Sequence, residues 1–115
     1  MSAFIYKICP EAIWRQAEEA GRFDGAPIDM KDGYIHFSSA GQVRETAARH
    51  FAGQDGLLLI AVDPEVLGDG LRWESSRGGL LFPHLYAPLP ISAVRNVERL
   101  PLEADGGHAF PADIP

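Results

Sequence analysis

Gly33-Tyr34-Ile35-His36-Phe37-Ser38-Ser39 is the stretch on which the reading of this chain turns. Tyr34 to Phe37 reads as a short strand. Strand side chains alternate, so Tyr34, His36 and Ser38 share one face while Ile35 and Phe37 share the other. The apolar pair suits a core, so His36 and Ser38 point away from it, toward a cleft or solvent. Ser39 then reads as a helix start, with Gln42 completing an S-x-x-Q capping box. Free N–H groups and partial positive charge at a helix start attract anions. This pattern points to phosphate or a phosphorylated nucleotide. It is equally compatible with serines that only cap a helix beside a half-exposed histidine.

Working outward, Phe4 to Ile8 reads as a first strand, and Glu11 to Ala20 as a helix opened by Pro10 and stopped by Gly21. Arg22 to Lys31 is rich in turn residues and reads as a connection. Val43, Ala47 and Phe51 form the stripe of the helix after Ser39. Leu57 to Val62 is a continuous apolar run, expected as a central strand covered on both faces. Leu71 to Glu74 and Ala93 to Leu100 are further strands. Phe82 to Tyr86 is extended and edge-like, because Pro83 cannot donate to a ladder. Two early helices followed mostly by strands predict an α+β domain with a small split or bent β-sheet. Residues 1–103 form one domain and 104–115 a tail, loosely held or folded back by Phe110.

The 115 residues suffice for a core without a metal or disulfide. With 46% hydrophobic and 23% charged residues, the composition is that of a globular domain. The net charge of −6 opposes an extended nucleic-acid surface, though not one small basic pocket. A lone Cys9 excludes an internal disulfide and a thiolate metal cluster. The start lacks the pattern of a signal peptide and no run is long enough to span a bilayer, so a cytoplasmic protein is expected. The four histidines show no metal-ligand spacing, so no metal is expected. G-x-S-x-G, G-x-G-x-x-G and the P-loop are absent.

Three further groups can carry chemistry. Arg44 in the first turns of the second helix can lean toward an anion, or be an ordinary surface arginine; His50 beside it reads as a core-edge histidine. Glu74, across a strand from Trp73, can act as a base or bind a ribose hydroxyl, or be an exposed carboxylate. Phe82, His84 and Tyr86 share a face that can clamp a flat ring, or pack internally.

The segments Ile5-Tyr6-Lys7-Ile8, Trp14, Gly33-Tyr34-Ile35-His36-Phe37-Ser38, Gln42, Thr46-Ala47, Trp73-Glu74 and Phe82-Pro83-His84-Leu85-Tyr86 together resemble domain of unknown function 952, a small bacterial family. That family is similar at fold level to ADP-ribosyltransferases, above all tRNA 2′-phosphotransferases. The resemblance implies an ADP-ribosyltransferase-like split sheet with NAD as the cofactor between its halves. It places Ile5-Tyr6-Lys7 at the tyrosine–histidine pair of the first strand, with Lys7 where a histidine is expected. It places Tyr34 to Ser38 at the histidine-x-Leu-Ser strand. The expectation is then a cleft for NAD or a related nucleotide or phosphate, with His36 and Glu74 catalytic. Lys7, Ser38, Ser39, Arg44, His84 and Tyr86 bind the ligand. The alternative is a non-catalytic module for a small metabolite or peptide, or a fold in which these residues only knit the sheet.

Overall fold

The structure is a computed structural model that describes residues 3–112 and 114. Its elements run β1 (Ile5–Pro10), α1 (Glu11–Ala20), β2 (Arg22–Phe23), α2 (Pro27–Asp32), β3 (Ile35–His36), β4 (Ser38–Ser39), α3 (Val43–His50), β5 (Leu57–Val62), β6 (Leu71–Ser75), β7 (Leu81–Leu85), β8 (Leu89–Pro90) and β9 (Val94–Arg99). It is an α+β fold with antiparallel sheets. The strand orders are β4-β1-β5-β9, β3-β7-β6 and β2-β8.

β5 is buried along its whole length, as its apolar run requires. Leu58, Ile60 and Val62 join Ile5, Cys9, Trp14 and Ala17 on one face. Leu57, Leu59 and Ala61 join Tyr6, Ile8, Val43 and Ala47 on the other. The sheet is thus sandwiched between α1 and α3. Gly21 ends α1 at φ 83°, its N–H donating to Ala17 O, a left-handed stop that suits glycine. The segment after Glu103 folds back on α3: Phe110 packs on its core cluster, and Ile114 is buried there.

Three local expectations change. Residues 22–31 are more than a connection, because Pro27–Asp32 is a third early helix. Asp29 accepts the Ala26 N–H at 2.8 Å, and Gly33 closes the helix at φ 86°. Second, Ser39 does not start a helix. It lies in β4 opposite Ile5, and α3 begins at Val43. Pairing with β1 keeps Ser39 extended. The predicted Gln42 contact survives as half a box, Ser39 N–H donating to Gln42 Oε1 at 3.0 Å. Third, β7 is the middle strand of its sheet, although it contains Pro83. Phe37 N–H donates to Pro83 O at 3.0 Å. In an antiparallel ladder N–H and C=O of one residue face the same neighbour. The missing Pro83 donor therefore falls on the β3 side, where β3 has ended.

The same rule locates a split in the sheet. Leu100 N–H donates to Leu57 O, so Leu57, Leu59 and Ala61 turn their peptide groups to β9. Leu58, Ile60 and Val62 turn theirs to β1, meeting Cys9, Lys7 and Ile5. Tyr6 and Ile8 therefore direct N–H and C=O to the opposite edge. There Tyr6 faces Ser38. Ser39 agrees, since both its N–H and its C=O are engaged by Gln42, away from β1. Two residues further Ile8 would face His36, but His36 has left to pair with His84 in β3–β7. One extended segment thus crosses between two sheets that part between Ile8 and His36.

Candidate functional site

A cavity of about 690 Å³ lies in this split. Tyr6, Lys7 and Ile8 form the β1 lip, Tyr34 to Ser38 the crossing segment, Thr46, His50 and Phe51 the α3 wall, and Phe82 and His84 the β7 wall. Ile28 and Asp32 of α2 cover one side. The size suits a drug-sized or nucleoside-sized molecule.

Asp29 wedges the split. Its Oδ1 accepts from Lys7 Nζ at 2.9 Å and from the His36 backbone N–H at 3.1 Å, and lies 2.6 Å from His36 Nδ1. Its Oδ2 is 2.9 Å from Lys7 Nζ. Lys7 and Asp29 are 5% and 2% exposed, so this is a buried ion pair. Burial alone would raise the Asp29 pKa. The His36 hydrogen bond and the Lys7 charge outweigh it and hold the carboxyl down at about 2. The carboxylate takes the His36 N–H that β1 would otherwise satisfy, so the sheet can stay open there.

His36 Nε2 lies 2.9 Å from Asp32 Oδ2. Both ring nitrogens thus face carboxylate oxygens, and both contacts are satisfied only when each nitrogen carries hydrogen. In that arrangement His36 has no lone pair for a ligand. His84 differs. Its Nδ1 lies 2.9 Å from Glu74 Oε1, which also accepts from Tyr86 O–H at 2.7 Å. The Tyr86 hydrogen bond, then that of His84, lowers the Glu74 pKa. The same Tyr86–Glu74 bond raises the Tyr86 pKa. The Tyr34 ring lies 4.2 Å from the His84 ring, 4.6 Å from His36 and 5.2 Å from Tyr86, measured between centroids. Burial raises the Tyr34 pKa, with Asp32 and Glu74 adding to it.

The structure therefore brings His36 and His84 together, with ring centroids 5.7 Å apart, and Lys7 and Ser38 line the same cavity. Ser38 Oγ is 2.8 Å from Thr46 Oγ1. Glu74 and Tyr86 stand behind His84 and Tyr34 rather than on the cavity wall. Ser39 is also off the wall, its peptide held by Gln42. Arg44 lies elsewhere, on the far side of α3. Its guanidinium stacks 5.3 Å from the Phe110 ring centroid and donates to Ile114 O at 3.3 Å. Arg44 points there because Val43 and Ala47 take the core-facing side of α3 and leave Arg44 on the exposed side, beside the returning C-terminal segment. Lys7 lines the cavity, but its ammonium is engaged by Asp29. The cleft wall thus carries Asp32 and two histidines, with Asp29 buried behind Lys7 and His36. Among the described residues no group of three or more His, Cys, Asp or Glu is placed to hold a metal ion, and no helix is long and apolar enough to cross a membrane.

Sequence reasoning passed over Asp29 and Asp32. The signal available was Lys7 itself, because a lysine inside an apolar central strand needs a carboxylate partner. It also passed over the Ile8 peptide group, which carries no side-chain signature.

The chain is 50% identical to protein CC0527 of Caulobacter crescentus in its crystal structure, with 93% of this chain and 94% of that chain covered and a TM-score of 0.90. The solution NMR structure of CC0527 aligns at 51% identity, 90% of each chain and a TM-score of 0.81. No curated protein matches. The model for "Protein of unknown function (DUF952)" matches residues 8–97, and the chain belongs to that family.

Proposed function

We propose that the split binds the nucleoside end of a nucleotide, with NAD and its nicotinamide ring as the leading ligand. The observation that carries this reading is the Ile8 peptide group. Its N–H and C=O face the open lip, opposite a β3 edge whose own N–H is taken by Asp29. A planar primary carboxamide offers the complementary acceptor and donor, so nicotinamide can pair with both. Tyr34 and His84 supply ring faces beside that lip. Asp32 at the wall can accept a ribose hydroxyl. The likeness of the Tyr34–Ser38 segment to ADP-ribosyltransferases and tRNA 2′-phosphotransferases supports the same ligand. Chemistry there would be cleavage or transfer at the nicotinamide–ribose bond. The engagement of Lys7 by Asp29 moves the emphasis from phosphate to the ring and sugar, and leaves the diphosphate toward solvent. The doubly engaged His36 favours a second reading, a binding module without turnover.

The test is thermal shift and calorimetry with NAD, nicotinamide, ADP-ribose and inorganic phosphate on wild type and Tyr34→Ala. Ligand at a hundred times its Kd stabilises by about 2.7 kcal/mol. Nicotinamide and NAD should raise Tm, phosphate should not, and Tyr34→Ala should weaken the response. Silence toward both nicotinamide and NAD refutes the reading. Binding of NAD without nicotinamide release selects the module.

A further inference from the structure

His84 is buried, 4% exposed, in the middle strand of the three-stranded sheet. A buried imidazole ordinarily has both nitrogens accounted for. Here Nδ1 faces Glu74 Oε1 at 2.9 Å, while among the described residues Nε2 has no hydrogen-bond partner. Nor is Nε2 sealed in. Among the described residues the enclosed side-chain polar atom without a partner is His108 Nδ1, so His84 Nε2 retains access from outside, and His84 lines the cavity. An ionised carboxylate can only accept, so the hydrogen of the Glu74 contact sits on Nδ1. The neutral ring then presents its lone pair at Nε2. Tyr34 covers one ring face, His36 stands edge-on at 5.7 Å between centroids, and Arg72 is the β6 residue opposite. Glu74 is held in turn by Tyr86 at 2.7 Å.

We propose that His84 is the proton acceptor of the cleft, taking the proton of a hydroxyl group on the bound ligand or of an attacking water, with Glu74 and Tyr86 as positioning residues. The O–H bond breaks, its electron pair stays on oxygen, and the proton bonds to Nε2. Glu74 balances the imidazolium so formed. His36 cannot take this role while both its nitrogens face carboxylates. The choice of a sugar hydroxyl as the donor rests on the nucleoside reading above. The tautomer and the accessibility of Nε2 do not.

The test uses the whole ¹⁵N-labelled chain. Two-bond imidazole NMR correlations at neutral pH should show His84 as the Nδ1–H tautomer, and Glu74→Gln should lose that preference while Glu74→Asp keeps most of it. Thermal melts check that both variants fold. Diethyl pyrocarbonate should acylate His84 at least tenfold faster than His36, and Glu74→Gln should slow it severalfold. Nicotinamide riboside should shift the Nε2 resonance, whereas nicotinamide, which lacks a hydroxyl, should not. An Nε2–H tautomer, preferential acylation of His36, or riboside that binds by calorimetry without moving Nε2 overturns the proposal. If neither compound binds but tautomer and reactivity are as stated, the nucleoside reading fails and the accessible acceptor stands.

Discussion

Asp29→Asn replaces the wedge by its neutral isostere. One oxygen remains to accept backbone N–H, but the charge facing Lys7 is gone. Breaking a buried ion pair by neutralising one partner costs about 3–5 kcal/mol, because the other charge stays buried without compensation. A domain of this length has an unfolding entropy of roughly 0.24 kcal/mol/K, so the loss corresponds to a fall in Tm of about 12–20 °C. It is a large share of the roughly 5–15 kcal/mol that holds such a domain together. The attribution is checked by a double-mutant cycle in urea, read by circular dichroism. Lys7→Met removes the stranded charge, so Asp29→Asn should cost about 2 kcal/mol less in that background. A single-variant loss below about 1 kcal/mol, or strict additivity across the cycle, refutes the claim that this pair braces the split.

Acid should act through the same residue. The folded Asp29 pKa of about 2 lies below its ordinary 3.8, so its contribution is complete above pH 3.8 and is lost as pH falls through about 2. The difference is on the order of 2 kcal/mol. Urea melts from pH 5 to pH 2 should show that decline in wild type and a shallower one in Asp29→Asn; equal slopes would contradict it. Cys9 is buried and burial lifts its thiol to about 11, with Lys7 opposing. Iodoacetamide at neutral pH should therefore label it only at the rate of unfolding. Rapid labelling of the folded protein would show that the α1 face of the sheet opens locally.

What could be read from sequence follows how local each interaction is. α1 and β5 were legible at their observed limits, because their patterns need only neighbours in the chain. The shared face of His36 and Ser38 was legible from alternation, and both do reach the cavity. α2 was hidden by its shortness: Pro27, Asp29 and Gly33 are helix-boundary residues, yet in six residues they read equally as turns. Ser39 was misplaced for a non-local reason. Pairing of Ser38 and Ser39 with β1 is a tertiary contact, and it delays the helix that local pattern would start earlier. Asp29 escaped because its contact with Lys7 spans 22 residues.

Pro83 sets the branch point of the crossing strand. Its nitrogen has no hydrogen to give Phe37 C=O, so the ladder with β7 must run out there, and Ser38 is released to join Tyr6. Any other residue at this position would restore a donor and let the two strands travel further together before parting. The gap between the sheets can therefore be retuned during divergence by one substitution in a residue that no ligand would touch. Relatives with identical cavity walls but a different residue here would hold a mouth of another width.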